Sequence, residues 1–101
     1  MVAVLKVPVN MADVVVTLRI MPQDTSVNLS DIEAEAKKEI VRFCNAQEFK
    51  IQIEPIAFGL KALNIFFVMD ESKGSTEDLE KGISHINHVE SVEVTDVRRA
   101  V

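Results

Sequence analysis

The sequence predicts an α+β domain in which a four-stranded sheet and two helices follow one another in the order βαββαβ. Three observations carry that expectation. Four segments place apolar residues at every second position, two segments place them at every third or fourth, and capping or turn residues separate the segments. With 101 residues, 48% hydrophobic and 27% charged, the chain suffices for one hydrophobic core and has no room for a second lobe.

From Asp13 the chain alternates, with Val14, Val16, Leu18 and Ile20 on one side and Val15, Thr17 and Arg19 on the other, which predicts a strand over 13 to 20 ended by Pro22. A polar stretch leads to Asn28 or Ser30 as a helix N-cap, and Ser30 with Glu33 fits a capping box. Ile32, Ala36, Ile40 and Phe43 then form one stripe of a helix running to about Asn45. Asn28-Leu29-Ser30 also has the form of a glycosylation acceptor, but it is read here as helix-start chemistry. Phe49, Ile51 and Ile53 alternate with Lys50, Gln52 and Glu54 in a second strand over 48 to 58, and Gly59 marks the turn. The third strand, 61 to 69, is apolar on both faces and therefore central. Residues 70 to 74 read as a loop, Ser75 with Asp78 as a second capping box, and Leu79, Ile83 and Ile86 as the stripe of a helix ending near Asn87. Val92 and Val94 open a fourth strand over 91 to 97.

This order is that of the ferredoxin-like split βαβ, in which two right-handed crossovers put both helices on one face of an antiparallel sheet. Ile32, Ile40, Phe43, Leu79 and Ile83 are expected to pack on Val14, Val16, Leu63, Ile65 and Phe67. The open face is expected to carry Val15, Thr17, Arg19, Asn64, Phe66, Val68, Glu93 and Thr95, a mixed surface suited to a partner. Pro8 and Asn10 break a short Val-rich run and Met11 reads as a second natural start. Residues 1–10 are therefore taken as an N-terminal extension and residues 11–101 as the domain.

Composition excludes several functions. Eleven Lys and Arg against 16 Asp and Glu leave a net charge of −5, which opposes direct nucleic-acid binding. Three glycines, at 59, 74 and 82, cannot build a phosphate-cradling or dinucleotide loop. His85 and His88 lack the further ligands of a metal site and read as polar residues near a helix C-terminus. The single cysteine, Cys44, sits beside the Ile40 and Phe43 stripe and reads as a small buried hydrophobe rather than a nucleophile. Glu33, Glu35 and Glu39 interleave with Lys37, Lys38 and Arg42 as on a solvated helix. No catalytic set, cofactor site or metal site emerges. No apolar run approaches the roughly 20 residues of a membrane span, and Lys6 interrupts the only stretch resembling a signal peptide, so a cytoplasmic protein is expected.

Two segments remain without a purely structural role. Phe58 stands beside Gly59 at a hairpin tip where polar residues are usual. The residue physics leaves open whether the ring folds back into the core or anchors a partner. Arg98 and Arg99 form a basic pair at the end of an acidic chain, and solvated tail charge is the simpler reading of them.

The stretches Met11-Ala-Asp-Val-Val-Val-Thr-Leu-Arg-Ile-Met-Pro, Pro55-Ile-Ala-Phe-Gly-Leu-Lys-Ala-Leu and Val92-Glu-Val-Thr-Asp-Val-Arg-Arg resemble archaeal translation elongation factor 1-beta and the guanine-exchange domain of its eukaryotic counterpart. The resemblance covers residues 11 to 101. It implies a guanine nucleotide exchange factor that partners elongation factor 1-alpha, a GTPase, without covalent chemistry. It also implies partner-binding roles for Phe58, with Gly59 and Lys61 beside it, and for Asp96, Arg98 and Arg99. The eukaryotic relative presents a C-terminal lysine near the magnesium and phosphate site; here no lysine follows Lys81, and Arg98 and Arg99 are the only tail cations. The alternative is a ferredoxin-like regulatory module that binds a small molecule or self-associates through its open face.

Overall fold

The computed structural model describes residues 13–99; the expected extension, residues 1–10, and the boundary at Met11 lie outside the described residues. The elements are β1 (Asp13–Pro22), α1 (Leu29–Cys44), β2 (Phe49–Pro55), β3 (Lys61–Asp70), a single 3-10 turn (Glu71–Lys73), α2 (Glu77–Ser84) and β4 (Val89–Arg99). The strands form one antiparallel sheet in the order β2-β3-β1-β4. This is the ferredoxin-like α+β sandwich anticipated from periodicity.

The core follows from the alternation. Val14, Val16, Leu18 and Ile20 of β1 and Leu63, Ile65, Phe67 and Met69 of β3 are buried against Ile32, Ala36 and Ile40 of α1 and Leu79 and Ile83 of α2. Phe43 and Cys44, expected in the core, are only half-buried and pack against it from the last turn of α1. Burial raises the Cys44 thiol above its ordinary pKa, and the thiol donates to the Ile40 carbonyl at 3.4 Å.

The boundaries move for local reasons. Asn28 caps α1, its side chain accepting from the Ser30 N–H at 2.9 Å. Ser30 therefore lies inside the helix, its expected capping box is not made, and Glu33 instead pairs with Lys37 at 2.9 Å. The second box also differs: Ser75 accepts from the Glu77 N–H at 3.1 Å, and the Thr76 hydroxyl donates to Glu80 at 2.8 Å. α2 stops at Ser84, short of Asn87. His85 caps it and His88 has a positive φ of 75°, so the two histidines do not share a helix face.

The largest departure is in β4. Its pairing with β1 slips between Thr17 and Leu18: Thr17 faces Asp96 while Leu18 faces Val94. Thr95 is thus the extra residue of a β-bulge. Asp96 rather than Thr95 takes the place beside Thr17 on the open face, Arg98 stands opposite Val15 on that same face, and Val97 and Arg99 turn to the helix side.

Candidate partner-binding site

The expected site residues lie at two opposite ends of the sheet. Lys61 opens β3, whereas Arg99 pairs with Val14, which in turn pairs with Met69 near the end of β3. At about 3.3 Å per residue, the run from Lys61 to Met69 separates the two ends by about 26 Å.

At the first end, β2 stops at Pro55 because residues 56 to 60 form the turn, where the expected strand continued to Phe58. The Ile56 N–H donates to the Leu60 carbonyl at 2.8 Å and the Leu60 N–H to the Ala57 carbonyl at 3.0 Å. Phe58 and Gly59 at the tip both have positive φ, 56° and 81°. Successive positive φ values match the twist of a hairpin and suit Asn-Gly or Gly-Gly; a bulky residue in the first place carries a steric penalty of about 1 kcal/mol. The Phe58 ring recovers nothing from burial, since the residue is 99% exposed. The alternative of a ring folded into the core is thereby removed. Beside it lies a groove of about 420 Å³, lined in part by Pro22, Thr25, Asn28, Ile53, Gly59 and Lys61. On its rim the Ser26 hydroxyl and N–H donate to Asp24 at 2.6 and 2.8 Å and hold that carboxyl below the usual range.

At the second end, the Arg98 Nε donates to the Asp96 carboxylate at 2.8 Å on the open face. Arg99 meets Glu71 of the 3-10 turn through two contacts, Nη1 to Oε1 and Nη2 to Oε2, each 3.3 Å. Glu71 has no role in the sequence reading, because nothing in the chain signals that a loop residue 28 positions upstream meets Arg99. Between the ends, Lys50 lies over the Phe66 ring at 5.7 Å, and Asn64 donates to Glu54 at 3.1 Å. Among the described residues no three His, Cys, Asp or Glu side chains converge to hold a metal, and no helix is long and apolar enough to cross a membrane.

The chain is thus a ferredoxin-like α+β sandwich with a solvent-exposed aromatic at one end of the sheet and two ion-paired arginines toward the other. Comparison with known proteins shows its family. The EF-1 guanine nucleotide exchange domain matches residues 15–100. The elongation factor 1-beta of Methanothermobacter thermautotrophicus is 43% identical over 89 residues, 88% of this chain and 98% of that protein. That of Methanobrevibacter smithii is 42% identical over the same shares. The elongation factor 1-beta of Staphylothermus marinus is 37% identical over 90 residues, again 88% of this chain and 98% of that protein. The chain belongs to the EF-1 guanine nucleotide exchange domain family.

Proposed function

We propose that the protein binds elongation factor 1-alpha in the cytoplasm and accelerates its release of GDP, so that GTP can reload during translation elongation. In this reading residues 11–101 are the exchange domain and residues 1–10 an extension outside it. The observation that carries the proposal is Phe58, a fully exposed ring on a backbone that disfavours it, within a chain of this family. A strained, solvent-held aromatic has its physical justification in a partner that buries it. Phe58, Gly59 and Lys61 form one contact; Asp96, Arg98 and Arg99 form the other. Separation by about 26 Å requires a partner broad enough to touch both.

Exchange needs no bond-making. A GTPase holds GDP through its phosphate loop and Mg²⁺, and a protein that stabilises a conformation in which those contacts are lost weakens GDP without touching the base. Linkage makes the effect reciprocal: GDP weakens the exchange factor by the same ratio. In this reading the tail supplies cationic charge at the metal and phosphate site through Arg98, on the open face, and the Phe58 loop supplies affinity.

The test is release of labelled GDP from elongation factor 1-alpha with and without this protein. Acceleration that saturates with its concentration is expected. An unchanged release rate overturns the proposal, and if it is accompanied by concentration-dependent self-association it favours the regulatory-module alternative.

A further inference from the structure

The two tail arginines are not equivalent. The Thr95 bulge sends Arg98 to the open face and Arg99 to the helix side. On that side Val97 is 56% exposed, and a groove of about 300 Å³ lies between β4 and the segment following β3, bordered by Val14, Met69, Glu71, Gly74 and Val97. Among the described residues, the last residues of the strand are held by backbone pairing with β1 and present no buried apolar side chain of their own. What reaches across is the Glu71 carboxylate, meeting the Arg99 guanidinium fork to fork. Two parallel contacts fix the plane of a guanidinium as well as its distance, which a single lysine ammonium cannot reproduce. The carboxylate stands on a short capped element: the Asp70 side chain caps the 3-10 turn by accepting from the Ser72 N–H at 2.9 Å, and that hydrogen bond lowers the Asp70 pKa.

We infer that Glu71 is a positioning residue: by gripping Arg99 on the helix side it holds the end of β4 so that Arg98 is presented, already oriented by Asp96, on the open face toward the GTPase. The inference rests on the exchange-factor reading and adds a division of labour within it. Arg98 touches the partner, Arg99 is a latch, and Glu71 is its catch.

The test combines two measurements. The first is hydrogen exchange of the free protein, which does not depend on the exchange-factor reading. Glu71→Gln speeds exchange of the amides in residues 96 to 99 by roughly two- to fivefold, the range of one exposed ion pair. Glu77→Gln, at the exposed start of α2, leaves them unchanged. The second is GDP release. Glu71→Gln, Arg99→Lys and Arg99→Ala each lower the maximal release rate by roughly two- to fivefold with little change in the half-saturating concentration. The Glu71→Gln/Arg99→Ala pair is no slower than either alone. The exchange of charges Glu71→Arg/Arg99→Glu restores most of the rate, and Arg98→Ala slows release more than any of them. Unchanged amide exchange in Glu71→Gln, or a charge exchange that fails to rescue, overturns the inference. So does an Arg99→Ala defect that Glu71→Gln does not share, because Arg99 would then act directly on the partner. If the unaltered protein fails to accelerate GDP release, the exchange-factor reading falls, while the amide measurement still decides whether Glu71 holds the strand end.

Discussion

Replacing Phe58 by Asn separates the demands of the fold from those of the partner, because the two act in opposite directions. In the free protein the ring is 99% exposed, so its removal forfeits almost no burial; a core Phe would cost about 3–5 kcal/mol. What changes is the backbone term. At φ 56° a bulky side chain crowds its own carbonyl, whereas Asn tolerates the left-handed region through local hydrogen bonding, a difference of about 1 kcal/mol in favour of the variant. For a domain of this size that raises the melting temperature by about 4–8 °C. Phe58→Ala, which keeps the strain, melts close to the parent. Toward the GTPase both variants lose the anchor, at about 2 kcal/mol or more, which weakens the complex about 30-fold. Thermal unfolding by circular dichroism gives the first quantity, and titration of GDP release against protein concentration gives the second. A Phe58→Asn variant that melts lower than the parent refutes the exposed, strained geometry. One that melts higher but half-saturates at the parent's concentration refutes the anchor.

Four further outcomes are expected. Ile40 of α1 is fully buried, and Ile40→Ala costs about 2–5 kcal/mol in denaturant unfolding, whereas a loss below about 1 kcal/mol would place it outside the core. Burial holds the Cys44 thiol protonated above its ordinary range, so its alkylation at pH 8, followed by mass spectrometry, runs slower than that of a cysteine peptide and keeps climbing at higher pH where the peptide levels off; equal rates would contradict the raised pKa. Calorimetry with GDP or GTP and this protein alone gives no saturable heat, since three dispersed glycines and a net charge of −5 offer phosphate no cradle; saturable binding would move the protein out of the exchange-factor class. Removing residues 1–10 leaves melting temperature and GDP release at parent values, and a marked loss of either would make those residues part of the domain.

The fold was legible because its signals are local and repeated. Val14, Val16, Leu18 and Ile20 must share a face in any strand, and Ile32, Ala36 and Ile40 must share one in any helix, so the core follows once the order βαββαβ is fixed. The element ends were less legible, because several side chains compete to satisfy the same free backbone groups. Asn28 and Ser30 both suit an N-cap, and the fold uses Asn28. Residues such as Glu71 were illegible for a different reason: its contact with Arg99 joins a turn to a strand end that are neighbours only after β1 has brought β3 and β4 to either side of it.

Local rules are broken at several places in this chain, at His88 and at a second register shift beside Met21 among them, and two of the breaks fall at or beside the candidate contacts. At Phe58 a residue ill-suited to positive φ occupies a hairpin tip; at Thr95 an added residue interrupts the period of two. The second break was present in the sequence. Val92, Val94 and Val97 all stand on the helix side of β4, and the step of three from Val94 to Val97 is what a bulge looks like in one dimension. A regular strand would have pointed Asp96 and Arg98 toward the helices and Val97 toward solvent on the open face. The bulge inverts that outcome for the last residues alone, leaving Val92 and Val94 packed against the core. Sheet packing thus fixes the first half of β4, and one extra residue sets the direction of the second, so the charge at the strand end can be aimed independently of the core that supports it.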